Sequence, residues 1–275
     1  MGIASEDTVH VAGIDIANLT FGEATSFWRR EHGLGEDYYD GVLGLAPSKR
    51  ENNEPFANVL QNPFLGMVSR GLLDRNLFGL KLSRGKDDRG EITFGGANKD
   101  LYEEELKTLP LLNDTEDHPR IQGRWKVGAT SISIGEGEAS LEGYIATLES
   151  DFPLIALPGN FVILLEKYLG MESKGGPYAP KSIDCSKRDE LEDFTLSLGN
   201  HDFMLTAHEY TVEIDKEAWG GHRCISAFIG MPEIDEKYII IGSSFLRAFY
   251  GVFDLDERTV SCEHFLFSPL LCHTV

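Results

Sequence analysis

Four cysteines, eight histidines and two N-x-S/T sequons are the residues of this 275-residue sequence whose type and spacing point to chemistry on their own. Cys185, Cys224, Cys262 and Cys272 include no C-x-x-C pair, and no histidine stands at zinc-finger spacing from them. No metal site is expected there. The histidines, among them His201, His208, His222 and His264, have no ligand-like spacing either. An even number of cysteines confined to the last third fits two disulfides in an oxidising compartment. Asn18-Leu19-Thr20 and Asn113-Asp114-Thr115 are glycosylation sequons and point the same way. Gly135-Glu136-Gly137-Glu138 lacks the context of a phosphate loop and reads as a hairpin turn. The dibasic pairs Arg29-Arg30, Lys49-Arg50 and Lys187-Arg188 read as surface charge before processing sites. No cofactor is expected.

The elements around these residues read as strands. Thr8–Val11, followed by Gly13, alternates polar and apolar residues as a half-buried strand does. Leu77–Leu82, the polar run 85–90 and Glu91–Phe94 predict a hairpin. Trp125–Gly128 and Ser131–Gly135 read as another strand pair, while Tyr238–Gly242 and Phe249–Asp254 read as buried strands. Helical signals are few: 56–60, 160–169 and 244–248. Many short strands with glycine-rich turns predict an all-β architecture. The polar run Asp114–Arg120 is a candidate boundary, giving domains 1–118 and 119–275.

Composition narrows the partners. A net charge of -20 repels phosphate backbones and anionic lipid, so nucleic acid and membrane surfaces are not expected partners. No run of eighteen apolar residues is present, so no membrane span is expected. Self-repulsion falls toward the pI near 4.7, which suits acidic surroundings. Met1–Asp7 has neither a basic nor an apolar leader segment; either the chain stays inside a cell or a leader has been left off. Cysteines and sequons together favour the secretory pathway, with a secreted or vacuolar destination.

Several strings resemble the pepsin-like aspartic proteases in order and spacing. Asp7–Gly13 resembles the strand after the family's active-site flap, and Tyr39-Asp40-Gly41-Val42-Leu43-Gly44-Leu45-Ala46 resembles its F-D-G-I-L-G-L-A segment. Gly71–Phe78 with Ile92–Gly96 resembles the helix, strand and hairpin that come next. Trp125–Gly135 resembles the start of the C-terminal lobe, and Ile239–Asp254 the I-L-G-D-x-F-L-R-x-Y-Y-x-V-F-D signature. The resemblance runs from about residue 7 to 262 and implies a bilobal, mainly β acid-protease fold with a partial N-terminal lobe. It also places Cys185 and Cys224 at that lobe's disulfide, and leaves the pairing of Cys262 and Cys272 open. The strings Val42-Leu43-Gly44 and Ile240-Ile241-Gly242 echo each other, and the resemblance implies that each packs against its lobe's catalytic loop.

In that family two carboxylates from Asp-Thr-Gly or Asp-Ser-Gly loops share one proton, because both cannot ionise at that distance. One then activates water while the other polarises the scissile carbonyl. This sequence holds no D-T-G or D-S-G string, and it begins after the point where the resemblance puts the first aspartate. Anchored on Pro158, the second loop reads Glu149-Ser150-Asp151. Glu149 moves the carboxyl outward by about 1.5 Å, where such constellations tolerate ~0.5 Å. Asp151 adds a like charge where a glycine is expected, and Pro153 removes a backbone N–H. A rival alignment puts Asp151 itself at the catalytic position.

The resemblance thus implies a family member that is inactive as it stands and holds a peptide or protein segment in a residual cleft. One alternative is an active acid endopeptidase, completed by upstream residues or a second chain. The other is a decoy that binds proteases or inhibitors. A partly orphaned N-terminal lobe would expose apolar surface, to be covered by self-association, a partner or rearrangement.

Overall fold

A computed structural model describes residues 2–26, 40–47, 60–85, 88–102, 104–114, 121–172, 181–216, 221–231 and 237–264. The chain is mainly β, as the turn-punctuated sequence predicts. Its opening is a hairpin of β1 (Gly2–Val11) and β2 (Ile14–Ala24), turning at Ala12-Gly13, where both residues have positive φ. The register slips between Asp7 and Val9, and Asn18 at this bulge sits at φ 53. Helix α1 (Pro63–Ser69) seals the hairpin, placing Met67 against Ile16 and Leu19. Its start is written in Asn62-Pro63: the Asn62 side chain accepts from the Leu65 N–H, and proline at the first helical position gives up an N–H that would be unpaired anyway.

The predicted hairpin forms from β3 (Leu77–Lys81) and β4 (Glu91–Phe94). It extends into a five-stranded antiparallel sheet through β16 (Phe249–Asp254), β17 (Thr259–His264) and β5 (Lys107–Pro110). Segments 77–110 and 249–264 thus share one sheet. Phe78 on β3 stacks on Phe253 of β16 at 4.8 Å and meets Phe64 and Trp125 edge-on. These rings join the largest core cluster, so early and late segments bury apolar surface together.

The other large sheet has seven strands in the order β11-β10-β6-β7-β15-β8-β14. Its members are β6 (Lys126–Ile134), β7 (Gly137–Leu148), β8 (Ile155–Pro158), β10 (Phe194–Leu198), β11 (His201–Leu205), β14 (Phe228–Met231) and β15 (Tyr238–Ile241). The expected strand pair 125–135 is instead one continuous strand, β6, with a bulge against β10 between Ala129 and Ser131. The extra residue, Thr130, turns its hydroxyl to the Ser197 carbonyl across the bulge. Gly135, at φ 53, and Glu136 form the hairpin turn from β6 to β7. Helix α2 (Gly159–Tyr168), close to the predicted span, packs on β14 and β8. A three-stranded sheet, β12 (Thr211–Lys216), β13 (Gly221–Ser226) and β9 (Ser182–Ile183), completes the described strands. The predicted helix at 56–60, save Leu60, and the boundary run beyond Asp114 lie outside the described residues.

Candidate functional site

The loop carrying Glu149 is shaped by a crossing of strands. Chain leaving β7 passes through residues 149–154 and returns as β8, while β15 fills the gap, parallel to β7 and antiparallel to β8. The Glu149 N–H donates to the Ile241 carbonyl at 2.9 Å, and the Phe152 N–H returns to the Glu149 carbonyl at 3.2 Å. Beyond β15 the chain runs so close beneath this loop that only glycine fits. A Cβ on Gly242 would lie 2.2 Å from the Phe152 carbonyl oxygen and 2.1 Å from that of Leu154. Ser243 then donates its N–H to Phe152 O at 2.7 Å, and Ser244 donates its hydroxyl to Pro153 O at 2.6 Å. Pro153 lacks a donor, yet its carbonyl anchors the loop to helix α3 (Ser243–Leu246).

At this loop Arg124, just before β6, donates from Nη1 to Oε1 of Glu149. Both side chains are largely shielded, at 33% and 16% exposure. Burial is the largest influence on Glu149 and raises its pKa; Arg124 opposes it by hydrogen bond and charge, and the nearby Asp151 charge raises it further. Asp151 is exposed, so the two carboxyl groups brought together by the sequence occupy unlike environments. Arg124 has no signature of its own in the sequence. It lies twenty-five positions from Glu149, and only the β6–β7 pairing brings the two together.

Beside the loop opens a cavity of about 380 Å³, walled by Leu82–Gly85 of the β3–β4 connection, Ser150, Ser243 and Arg247. The two echoing strings fare differently. Ile239 and Ile241 are fully buried in β15, whereas residues 41–46 form no strand and Val42 is 78% exposed. Trp125 still reaches this segment, donating Nε1–H to Leu45 O at 2.8 Å.

Cys185 and Cys224 form a disulfide, with Arg188 buried against it and donating to the Cys224 sulfur at 2.7 Å. Cys185, Glu213 and Cys224 approach one another as metal ligands would, but the disulfide bond occupies both sulfurs. Cys262 has no disulfide partner among the described residues. It sits on β17 between β16 and β5, wholly inside the core, where burial pushes its pKa to about 12. Cys272 lies outside the described residues, as do Arg29-Arg30 and Lys49-Arg50. Of the sequon asparagines, both are exposed; the Asn113 side-chain oxygen accepts from Arg258 at 2.9 Å. His208 pairs with Asp189 and His222 with Glu213, both at the surface. Among the described residues no helix is long and apolar enough to cross a membrane.

A family model described as eukaryotic aspartyl protease matches residues 1–264. The probable vacuolar protease A of Trichophyton verrucosum is 34% identical over 266 residues, covering 94% of this chain and 60% of that protein. Vacuolar protease A of Aspergillus fumigatus is 34% identical over 265 residues, with the same 94% and 60% coverage. Cathepsin D of Dictyostelium discoideum is 29% identical over 264 residues, covering 94% and 63%. The chain spans about 60% of the length of the curated fungal relatives it matches.

Proposed function

The chain belongs to the eukaryotic aspartyl protease family, and from that premise we propose that these 275 residues form a member without catalytic competence of its own, which holds a peptide or protein segment without cutting it. The ion pair of Glu149 with Arg124 carries this reading. A shared-proton dyad needs a second carboxylate within hydrogen-bond reach. Here a guanidinium takes that side of Glu149, and the sequence contains no D-T-G or D-S-G loop to bring a partner. Asp151, the rival candidate, stands in solvent, with no second carboxylate hydrogen-bonded to it among the described residues. The division into a partial lobe, 1–118, and a second lobe, 119–275, belongs to this proposal, as does a vacuolar or secretory destination. The fungal relatives, named as vacuolar proteases, favour that destination. The exposed Asn18 and Asn113 are its candidate glycan acceptors.

A second reading has its own support. A carboxyl group with a burial-raised pKa beside a cavity is the kind of group active sites use, and the chain spans only part of relatives named as proteases. In that reading a carboxylate from further residues or a second chain displaces Arg124 and completes an acid endopeptidase. Incubating the folded chain with a mixed peptide library near about pH 5, then identifying retained peptides by mass spectrometry, separates the two. Intact retained peptides are the expected result. Cleaved products support the second reading, and a library that is left both unbound and uncut overturns the proposal.

A further inference from the structure

The cavity beside Ser150 is chemically unlike the rest of the molecule. In a chain with 45 acidic and 25 basic residues, its lining contains Arg84 and Arg247 and, among the described residues, no carboxylate. The two arginines differ. Arg84 is committed: Nε donates to the Arg247 carbonyl at 2.6 Å, Nη2 donates to the Ala248 carbonyl at 2.9 Å, and Glu209 lies 3.7 Å away. Arg247 is exposed and makes no ion pair or side-chain hydrogen bond among the described residues. Among the described residues the wall therefore carries one guanidinium, that of Arg247, with no ion-pair partner.

We propose that this cavity takes a single carboxylate of the held segment, with Arg247 as its counter-ion and Ser150 as a hydroxyl donor. The inference rests on the peptide-holding reading and names its ligand chemistry. A guanidinium offers a carboxylate two parallel N–H donors, and the exposed Ser150 adds an O–H group at the same wall. A phosphate dianion would need a second free cation, and Arg84 is already shared with Glu209. At about 380 Å³ the space accepts a side chain with its adjoining backbone. The surrounding negative charge then restricts binding to segments whose remaining residues are neutral or basic.

Fluorescence polarisation on the whole chain tests this, using labelled neutral-to-basic peptides carrying one Asp against their Asn counterparts. Amidated and free C-termini distinguish a side-chain carboxylate from a terminal one. The expected result is about tenfold tighter binding of the carboxylate peptide, with the preference lost in Arg247→Gln and partly kept in Arg247→Lys. NMR of arginine Nε–H resonances, titrated with succinate and separately with inorganic phosphate, gives a readout that needs no peptide. A shift of the Arg247 signal with succinate and not phosphate is expected. Peptide binding with no carboxylate preference, or a preference that survives Arg247→Gln, overturns the inference and leaves the peptide-holding reading intact. Succinate binding without peptide binding overturns that reading and keeps the anion site. An unshifted Arg247 signal with no peptide binding removes both.

Discussion

Glu149 is pulled two ways, by burial toward the protonated form and by Arg124 toward the charged one, and burial prevails. Removing the guanidinium leaves only influences that raise the pKa, apart from the Thr147 hydrogen bond. Arg124→Gln should therefore raise the Glu149 pKa further, as read by a carboxyl-carbon NMR titration. The sign for stability follows. A folded pKa above the unfolded one favours protonation on folding, so the contribution is complete below the usual value of 4.5 and is lost as pH rises through the folded pKa. Urea unfolding should show a steeper loss from about pH 4 to about pH 7 in Arg124→Gln than in the parent; an unchanged slope would mean the ion pair has little hold on Glu149. Cys262 makes a simpler case. Buried, with its thiol pushed up to about 12, it should resist alkylation in the native protein and react once urea exposes it. The loop 149–151 was legible as a departure from a known string, but its ionic partner was not, because no local spacing encodes a contact across two strands. Counting cysteines could not name the pairs for the same reason: an even number constrains pairing without assigning it, and the position of Cys262 among apolar neighbours comes from the core.

The strand crossing behind the candidate loop depends on Gly242. Its side-chain-free backbone passes two carbonyl oxygens at distances no Cβ tolerates, so Gly242→Ala should cost about 3 kcal/mol or prevent folding. Gly44, the matching position in the first string, would meet only the Asn62 Cβ at 3.3 Å. Gly44→Ala should then cost about 0.5 kcal/mol. Thermal unfolding of the pair checks the difference, and equal losses would contradict the assignment of a crossing to β15 alone. Periodicity identified the β3–β4 hairpin, β15, β16 and most of α2, since each is short and bounded by turn residues. It divided β6 in two because Gly128 and the polar bulge residue Thr130 interrupt the alternation, although the neighbouring strands on both sides hold the backbone extended. Helix α1 went unread, yet Asn62-Pro63 is a capping signal that a search for helix starts would have found.

At the scale of the molecule, two features join distant chain segments: the aromatic contacts of Phe64, Phe78, Trp125 and Phe253, and the Cys185–Cys224 disulfide. The disulfide closes a separation of 39 residues, for which loop-closure entropy gives about 4 kcal/mol. The paired Cys185→Ser/Cys224→Ser variant should lose about 2–4 kcal/mol in urea, and a loss under about 0.5 kcal/mol would mean the surrounding core already fixes this region. The all-β class was readable from turn spacing, and the family from two long strings. The shared five-stranded sheet was not, because antiparallel pairing between residues 77–110 and 249–264 leaves no trace in either segment alone. The central claim is that the Glu149 loop of this chain does no acid proteolysis. Its most direct test is cleavage of a fluorogenic peptide library by the folded, disulfide-bonded protein between about pH 3 and 6, with and without pepstatin. No pepstatin-sensitive cleavage is predicted; cleavage that pepstatin abolishes and Glu149→Ala removes would contradict it.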